Sequence, residues 1–419
     1  MMAETGPPLN RPLRIGLIGS GFMAGLHVEA FRSVRGCLLA AVYSPTTAHR
    51  NAIVEQINRL GLGTCTGFDS VEEMVARAAV DAVWIVGPNF TRLEHMEAIR
   101  TATSDGRSSL RAVACEKPLG RTVAEARRMV DLVTATGLNH GYLENQVFAP
   151  GVRKGREIIW RRAAAISGRP YLARASEEHS GPHRPWFWQG DQQGGGVLLD
   201  MMCHSVEVAR FLLTEPGSDR TGVVATTATG HVSTLKWSRP EYAALLRQSM
   251  GEGVDYLARP SEDTAQGVIE LHDRDGHPLM IEASTSWAYV GPGLRIGIEV
   301  LGPEYSMKLD TLSTGLQLYF SRCVEGAAGD DLVEKQNAEQ GLLPVIEDEA
   351  VTYGYVAENR HMVEAFSLGE PPEETWADGL AVVELLMGLY RSAELRRTIS
   401  FGEEDLTDYI PPVGRPAGA

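Results

Sequence analysis

The sequence predicts an α/β protein in which a doubly wound parallel sheet is followed by an α+β domain with a large, mostly antiparallel open sheet. Short apolar runs alternate with amphipathic stretches up to residue 146, which is the pattern of strand–helix units in a parallel sheet. From residue 147 onward, several longer strand patterns follow one another, which indicates antiparallel pairing. Hydrophobic residues make up 43% and charged residues 22% of the 419, so a chain without a folded core is excluded.

The same change of pattern sets the expected domain boundaries. We predict one domain over residues 13–146 and a second over 147–400, with flexible tails at 1–12 and 411–419. A closing helix over 376–395 follows the second domain in sequence, but it can pack back on the first. Acidic residues are frequent over 325–350, which predicts a surface insertion there.

Elements of the first domain are predicted from apolar periodicity. The predicted strands are 14–18, 38–43, 82–86 and 111–115. The predicted helices are 22–34, 47–60, 91–102 and 123–136, the last ending at Gly137. The polar stretch 101–110 is predicted to be a loop.

The second domain is predicted to combine a few helices with a run of strands. Its predicted strands are 170–176, 223–234, 264–272, 278–289, 295–302 and 316–320. Its predicted helices are 151–164, 194–213, 355–366 and 376–395. Asp275-Gly276 lies between two of these strands and is typical of a tight hairpin turn.

Charge and cysteine content exclude several classes of partner. The chain carries 54 acidic against 39 basic residues, and a net charge of −15 repels nucleic acid and anionic membranes. No apolar run approaches the ~18 residues that span a bilayer, and the N-terminus lacks a secretory pattern. Five cysteines lie far apart with no Cys-x-x-Cys pair. We therefore expect a cytoplasmic protein without a structural metal or disulfides.

A glycine-rich loop follows the first predicted strand and opens the first helix. It reads Gly19-Ser20-Gly21-Phe22-Met23-Ala24. This matches the G-x-G-x-x-A pattern, in which small residues let a diphosphate approach the backbone at a helix N-terminus. The strand before it and the helix after it favour a Rossmann dinucleotide-binding domain. The alternative is a glycine turn that serves packing alone.

The residues after the second strand bear on the choice between NAD and NADP. An acidic residue there binds the adenosine ribose hydroxyls of NAD and repels a 2′-phosphate. This chain has no acid at that place but offers Ser44, Thr46 and Thr47 as neutral groups and Arg50 as a phosphate partner. The pattern slightly favours NADP and leaves the choice open, since Arg50 can equally be an ordinary exposed helix residue.

A lysine, an aspartate and a histidine, which together suit hydride transfer from an alcohol, occur in two separate segments of the chain. Lys117 follows a predicted strand, at the sheet edge where α/β proteins bind ligands. Asp200 and His204 are four residues apart, on one face of a predicted helix after Gly194–Gly196. His204 could accept the hydroxyl proton, Lys117 could stabilise the oxygen, and Asp200 could bind a neighbouring hydroxyl or orient the base. From spacing alone, the Asp–His pair can also be ordinary polar residues of a helix.

Taken together, the motifs resemble the Gfo/Idh/MocA family of oxidoreductases. The matching motifs, in the family's order, are the glycine loop, Val80–Val83 leading to Pro88-Asn89, Cys115–Gly120, Gly194–Gly196 with Asp200 and His204, Asp378-Gly379, and Tyr390-x-Ser392-Ala393-Glu394. The resemblance implies a nicotinamide-dependent dehydrogenase of sugars, cyclitols or glycosides, with Lys117, Asp200 and His204 as catalytic residues. It also implies that Pro88, Asn89, Glu116 and Lys117 contact the cofactor, and that the protein is a homodimer or homotetramer.

The chain departs from the family pattern at three places, so substrate and cofactor preference stay open. Arg92 stands where the family often has His, Ser44 stands where NAD users have Asp, and residues 141–150 read GYLENQVFAP. The family also includes glycosidases that oxidise their substrate transiently. A sugar- or dinucleotide-sensing regulator without catalysis is a further alternative.

Residues 177–188 combine polar side chains with aromatic rings, as sugar sites do. We predict that substrate contacts come from His179, His183, Trp186 and Trp188, with Glu144 and Asn145 reaching the same pocket from the domain junction. The alternative is that the tryptophans pack in the core or against another subunit. His179 and His183 are four apart, but Gly181-Pro182 forbids a regular helix, so we expect no metal site.

Overall fold

The computed structural model describes residues 7–104, 106, 108–251, 253–254, 256–320 and 341–415. The ends of both predicted tails and most of the predicted insertion at 325–350 lie outside these residues. The chain forms two compact units. One contains the residues up to Ala149 together with Tyr353–Val383, and the other contains Pro150–Thr352 and the residues from Glu384 onward.

The first unit is built on a sheet of six parallel strands. They are β1 (Leu13–Ile18), β2 (Cys37–Tyr43), β3 (Thr66–Phe68), β4 (Ala82–Ile85), β5 (Ala112–Glu116) and β6 (Asn139–Leu143). Their order is β3-β2-β1-β4-β5-β6, and every neighbouring pair is parallel. The direction of winding reverses between β1 and β4, where α/β sheets bind ligands. The prediction of a doubly wound parallel sheet is confirmed.

Helices follow the strands of this sheet. Their bounds are Phe22–Phe31, Thr47–Arg59, Val71–Arg77, Arg92–Ser104, Val123–Thr136 and Tyr355–Leu368, with short 3₁₀ turns at Asn89–Thr91 and Asn145–Phe148. Ser70 and Thr122 start two of them, because their side chains accept the amide N–H groups three residues on. The predicted stop at Gly137 is confirmed by its left-handed φ of 67°.

The second unit contains a seven-stranded sheet and a separate two-stranded ribbon. The strands are β7 (Leu172–Glu178), β8 (Val224–Ser233), β9 (Thr264–His272), β10 (Pro278–Ser286), β11 (Arg295–Gly302), β12 (Tyr305–Asp310), β13 (Leu316–Phe320), β14 (Gly341–Val345) and β15 (Ile399–Ser400). The large sheet has the order β12-β11-β7-β10-β9-β8-β15, and β13 pairs with β14. In this sheet β7 and β10 pair in parallel, and the other five neighbouring pairs are antiparallel. The predicted mostly antiparallel sheet is therefore confirmed.

One face of the large sheet is covered by the helix Val197–Leu213, all of whose residues are buried. This helix contacts β7, β9 and β10, and buried residues alternate with more exposed ones along β9 and β11. The other face carries Arg174, which pairs with Glu282 at 2.6 Å and Glu299 at 2.7 Å. The sheet therefore has one apolar face and one polar face.

Shorter elements complete the second unit. The helices are Pro150–Ile158, Ala165–Ser167, Gly190–Gln193, Pro240–Met250 and Glu349–Thr352, with a π-helical segment at Ile159–Ala164 and 3₁₀ turns at Pro185–Trp188, Arg220–Gly222 and Pro412–Gly414. The helix Trp376–Leu395 spans the boundary between the two units along the chain. Among the described residues, no helix is both long and apolar enough to cross a bilayer.

The predicted hairpin turn joins β9 to β10. Gly276 has a φ of 83°, and Asp273 accepts the amide N–H groups of Asp275 and His277 at 2.9 and 2.8 Å. Burial raises the pKa of Asp273, but the hydrogen bonds from His277 and Arg169 outweigh it and hold this pKa at about 2. The Asp-Gly signal is thus confirmed, and an ionised Asp273 holds the turn together.

Candidate functional site

The glycine loop lies between the end of β1 and the start of the helix Phe22–Phe31. Gly19 has a φ of 126°, and a Cβ there would lie 2.9 Å from the amide nitrogen of Gly87, so only glycine fits. A Cβ on Gly21 would meet no atom within 4 Å, so the backbone of Gly21 borders open space. Of the next two residues, Phe22 is exposed and Met23 half-buried. An exposed helix N-terminus beside open space fits the diphosphate of a dinucleotide.

Side chains at the end of β2 are joined to the glycine loop and to β3. The Ser20 hydroxyl donates to the buried Ser44 hydroxyl at 2.7 Å. Thr46 precedes the helix Thr47–Arg59 and makes no capping hydrogen bond through its side chain. The Arg50 guanidinium donates to the Phe68 carbonyl and to the carboxylate of the residue that follows β3. The Arg50 guanidinium is therefore hydrogen-bonded at the sheet edge. Arg50 lies in the helix Thr47–Arg59 but is not one of its exposed residues.

Arg92 connects the loops that follow β4 and β5. Its Nη1 donates to the carbonyl oxygens of Glu116, at 2.7 Å, and of Pro118, while its Nε donates to the Gly87 carbonyl at 3.2 Å. The amide of Lys117 donates to the Glu116 carboxylate at 3.1 Å. Lys117 therefore lies in a backbone segment held on both sides by buried charged groups. Pro88 and Asn89 precede Arg92 in the same β4 loop, and Asn89 is buried.

The buried side chain of His27 supports the segment that contains Glu116 and Lys117. His27 Nε2 lies 2.8 Å from a carboxylate oxygen of Glu116, and both side chains are buried. Burial raises the pKa of Glu116, but the hydrogen bond from His27 and the charges of Lys117 and Arg92 bring it below its usual value. Since Glu116 is then ionised, Nε2 of His27 donates the proton of this hydrogen bond.

Glu144 and Asn145 follow β6 and are both buried. Asn145 donates to the Tyr353 carbonyl at 2.7 Å, and a Glu144 oxygen accepts the Gln146 amide at 3.4 Å. Close by along this side of the unit, burial and the charges of Glu116, Glu144 and Glu374 raise the pKa of Glu358 well above its usual value. The first unit thus holds a group of buried carboxyl groups, and the pKa of Glu358 is raised among them.

The helix Val197–Leu213 of the second unit carries Asp200 and His204 one turn apart, and both are buried. Their four-residue spacing places them on one face of the helix, as predicted. Between them, the Cys203 thiol donates to the Asp200 carbonyl at 3.1 Å.

Two residues distant in sequence bind the N-terminus of this helix. The Gly196 amide is 2.8 Å from a Glu262 carboxylate oxygen and 3.0 Å from the Tyr390 hydroxyl. The Leu199 amide is 3.3 Å from the same hydroxyl. A Cβ on Gly195 would lie 2.1 Å from the Tyr390 oxygen, and one on Gly196 would lie 2.5 Å from the Glu262 carbonyl oxygen. The glycine run is therefore required because these two side chains approach the backbone closely.

The aromatic stretch predicted to bind substrate divides into two parts. Trp186 is half-buried and stacks on Phe187 with ring centroids 3.8 Å apart. Trp188 is buried among other rings, with centroids 5.0 Å from Trp287 and 5.7 Å from Trp237. Trp188 therefore packs in the aromatic core, which is the alternative that the sequence left open.

The two histidines of this stretch also differ from each other. His179 is buried, and its Nδ1 accepts the amide N–H of Gly181 at 2.9 Å. This local bond fixes the ring against the turn that Gly181 and Pro182 form. His183 is exposed.

Sequence reasoning missed the supporting roles of Arg92, His27 and Glu262. Arg92 was visible only as a departure from the family pattern, and Tyr390 only as part of a motif without a role. Glu262 gave no local signal, because its contacts are with residues 66 and 128 positions away. Contacts of this kind become visible only when the fold brings the segments together.

The strand order of the first unit and its G-x-G-x-x-A loop define a dinucleotide-binding Rossmann domain. Residues 13–141 match the model of the GFO_IDH_MocA oxidoreductase family with its NAD-binding Rossmann fold. Residues 162–307 match the GFO/IDH/MocA C-terminal domain. The chain belongs to the Gfo/Idh/MocA family, as the sequence motifs predicted.

Curated relatives include proteins of sugar and cyclitol metabolism. The rhizopine catabolism protein MocA of Rhizobium meliloti is 30% identical over 222 residues, which are 52% of this chain and 63% of the relative. The 1,5-anhydro-D-fructose reductase of Ensifer adhaerens is 31% identical over 50% of this chain and 59% of the relative. The chain thus matches less than two thirds of either relative. The myo-inositol 2-dehydrogenase of Thermotoga maritima is 22% identical over 93% of this chain and 99% of its own.

Solved structures agree with the fold over almost the whole chain. GenD2 from gentamicin A biosynthesis, in complex with NAD, superposes with a TM-score of 0.74 at 25% identity, covering 94% of this chain and 98% of GenD2. A probable dehydrogenase from Thermotoga maritima superposes with a TM-score of 0.68 at 22% identity, covering 94% of this chain and all of the other. At that identity the second match concerns the fold alone.

Proposed function

We propose that this chain is an NAD(P)-dependent dehydrogenase that oxidises a secondary hydroxyl of a sugar, cyclitol or glycoside. The observation that carries the proposal is the position of Lys117, at the carboxyl end of β5 in the sheet whose β1 bears the glycine loop. Its backbone is held by Glu116 and Arg92, so a lysine presented there is preorganised for a bound ligand. The dehydrogenases among the family relatives support the same substrate class.

We assign one role to each of three side chains. His204 accepts the proton of the substrate hydroxyl as the C–H bond breaks. Lys117 donates a hydrogen bond to the same oxygen and stabilises its negative charge while the carbonyl forms. Asp200, one helical turn before His204, accepts a hydrogen bond from a neighbouring substrate hydroxyl. The nicotinamide of a bound dinucleotide supplies the hydride acceptor.

We propose that the cofactor is held along the carboxyl edge of the parallel sheet. Residues of the glycine loop bind the diphosphate: Gly19, Ser20, Gly21, Phe22 and Met23. Ser44 and Thr46 face the adenosine side, whereas Pro88, Asn89 and Glu116 border the nicotinamide. The open space at Gly21 supports this arrangement, because a diphosphate needs the backbone to be accessible there.

We propose that substrate specificity comes from Glu144, Asn145, His179, His183 and Trp186. The half-buried ring of Trp186 is suited to the C–H face of a sugar, since the stacked Phe187 holds it in place. Trp188 is not included in this set, because other rings pack around it in the core.

The direct test combines binding with turnover. We expect Lys117→Ala and His204→Ala to lose at least a hundredfold in kcat on any polyol that the wild type oxidises, while binding dinucleotide with unchanged Kd. Lys154→Ala, which removes an exposed lysine of the second unit, is the control. Near wild-type kcat in both variants across a panel of sugars and cyclitols would contradict the assigned roles.

The same panel separates the other reaction types of the family. A glycosidase that uses transient oxidation would release aglycone without net change in nicotinamide absorbance. A sensor would bind dinucleotide and turn over no substrate. We expect instead stoichiometric formation of reduced nicotinamide with one of the polyols.

We also propose that the protein is a homodimer or homotetramer formed through the polar face of the seven-stranded sheet. Two features support this proposal. The face is extensive, and at its centre Arg174 forms ion pairs with both Glu282 and Glu299. Light scattering at micromolar concentration should give a mass of two or four chains, and a monomer mass would overturn the proposal.

A further inference from the structure

Arg50 connects the carboxyl ends of two neighbouring strands in the first unit. Its Nη1 lies 2.9 Å from the Phe68 carbonyl oxygen at the end of β3 and 2.7 Å from a carboxylate oxygen of Asp69. The same nitrogen is 3.5 Å from the Ser44 carbonyl oxygen at the end of β2. The Arg50 side chain is 11% exposed and that of Asp69 is 83% exposed. The mostly buried guanidinium of Arg50 thus binds the exposed carboxylate of Asp69 at the sheet edge.

The pairing of β2 with β3 shows where this carboxylate lies. Tyr43, the last residue of β2, pairs with Phe68, the last residue of β3. Ser44 and Asp69 are therefore equivalent positions, each the first residue beyond its strand. Neighbouring strands are about 4.8 Å apart. The chain thus presents an acidic residue one strand away from the place where NAD-binding Rossmann domains have theirs.

The arrangement of Arg50 depends on a glycine in β3. A Cβ on Gly67 would lie 3.0 Å from Arg50 Nε and 3.2 Å from its Cδ, so the side chain crosses the strand at Gly67. The path directs the guanidinium to Phe68 and Asp69. Since the Nη1 hydrogen bonds and the ion pair with Asp69 are made there, Arg50 does not provide an uncompensated cation for a phosphate group.

Other charges at this edge are also negative. Burial and the nearby charges of Glu94 and Glu72 raise the pKa of Tyr43, and Arg50 opposes them. The charges of Glu72 and Glu94 thus reach the end of β2, and the Asp69 carboxylate lies beside Arg50 at the end of β3. Such a field disfavours the doubly charged 2′-phosphate of NADP.

We infer that Asp69, held by Arg50, selects NAD over NADP by taking the part of the acidic residue that is missing from the end of β2. The inference rests on the proposed dinucleotide site. It reverses the slight preference for NADP that Arg50 suggested in the sequence.

Equilibrium binding to the full chain tests the inference without any substrate. Isothermal titration calorimetry with NAD⁺ and with NADP⁺ gives the ratio of the two Kd values. We expect the wild type to bind NAD⁺ at least tenfold more tightly. Asp69→Asn should reduce that ratio at least fivefold, mainly by tightening NADP⁺ binding, because Arg50 is then free to meet a phosphate.

Two further variants complete the design. Arg50→Gln should weaken NADP⁺ further, since it leaves the Asp69 carboxylate uncompensated. Asp131→Asn removes the same charge from an exposed position on the helix Val123–Thr136, and we expect it to leave the ratio unchanged. Asp69 is largely exposed, so Asp69→Asn and Asp69→Ser should keep the wild-type circular dichroism spectrum and Tm.

The outcomes distinguish this inference from the proposed function. A wild type that binds NADP⁺ as tightly as NAD⁺, or an Asp69→Asn ratio equal to that of the wild type, would overturn the inference alone. Failure of the wild type to bind either dinucleotide would overturn the proposed function and the inference with it.

Discussion

The Tyr390 hydroxyl donates a hydrogen bond to the Glu262 carboxylate directly at the start of the helix that carries Asp200 and His204. Both side chains also accept backbone N–H groups of that helix start. Helix N-termini leave amide groups without partners inside the helix, and a buried helix must satisfy them from outside. The pair Tyr390–Glu262 does this from two segments 128 residues apart.

Removing the hydroxyl should therefore loosen the helix start. We expect Tyr390→Phe to lower the free energy of unfolding by about 1–3 kcal/mol, because the Gly196 and Leu199 amides and Glu262 lose a buried partner. Urea unfolding followed by tryptophan fluorescence measures the change. The control is Tyr319→Phe, where the ring is exposed, and we expect no measurable change there. Equal stability of the two variants would contradict the role of Tyr390.

The glycine next to this pair should tolerate no side chain. A Cβ on Gly195 would come within 2.1 Å of the Tyr390 oxygen, so Gly195→Ala should destabilise the protein by about 1–3 kcal/mol. In a Tyr390→Phe background the 2.1 Å contact is gone and the nearest atom is the ring carbon Cζ at 2.8 Å, so the further cost of Gly195→Ala should fall but not vanish. Gly315→Ala is the control, because no atom lies within 4 Å of a Cβ there. Strict additivity of the two substitutions would show that the Gly195 and Tyr390 effects are independent.

We expect Arg92 to act by positioning the segment that contains Lys117, more than through its positive charge. Arg92→Lys keeps the cation but cannot reach the Gly87, Glu116 and Pro118 carbonyls together. We expect about 2–3 kcal/mol of lost stability and a fall in kcat with little change in KM, since the Lys117 segment loses its support. Arg100→Lys, on the exposed side of the same helix, should leave both quantities unchanged. Wild-type kcat in Arg92→Lys would exclude this positioning role.

Glu358 should make stability depend on pH. Burial, then the charges of Glu116, Glu144 and Glu374, raise its pKa well above the usual 4.5, and within the described residues neither of its carboxyl oxygens has a hydrogen-bond partner. A raised folded-state pKa gives stability that is fully present below the unfolded pKa and is lost as pH rises through the folded pKa.

Glu358→Gln removes this titration while keeping the shape of the side chain. We expect the variant to gain stability over the wild type as the pH rises from 5 to 8, measured by urea unfolding at several pH values. The corresponding control is Glu364→Gln in the same helix, for which a constant difference is expected. A Glu358→Gln difference that does not change with pH would show that this carboxyl does not titrate as described.

The sequence allowed the strand–helix alternation and most long elements to be predicted, because their apolar periodicity is strong. The strand β3 was missed since it has only three residues, one of them Gly67. The strand β6 was missed because its first residues, Asn139 and His140, are polar, and pairing with β5 decides its conformation. The helix Pro240–Met250 lay within a stretch without a recognised signal. The predicted loop at 101–110 begins as helix, since the helix from Arg92 continues to Ser104.

Residues of the candidate site were predictable where a local motif carries them. The glycine loop, Lys117 and the pair Asp200–His204 each follow from a short pattern next to a recognisable element. Arg50 was also visible, but its partner was not, because Asp69 follows a strand that was too short to predict. The burial of Trp188 depends on rings from residues 237, 256 and 287, which no local pattern connects.

The two units share the part of the chain that follows Thr352, because Tyr353–Val383 completes the first and Glu384 onward completes the second. During synthesis, the ribosome must therefore deliver this late segment before either unit has all its residues. Expression of the first 149 residues alone leaves out Asn359, which holds the His27 and Trp84 side chains. Work on the dinucleotide-binding half thus needs a fusion that supplies Tyr353–Val383, not a simple N-terminal fragment.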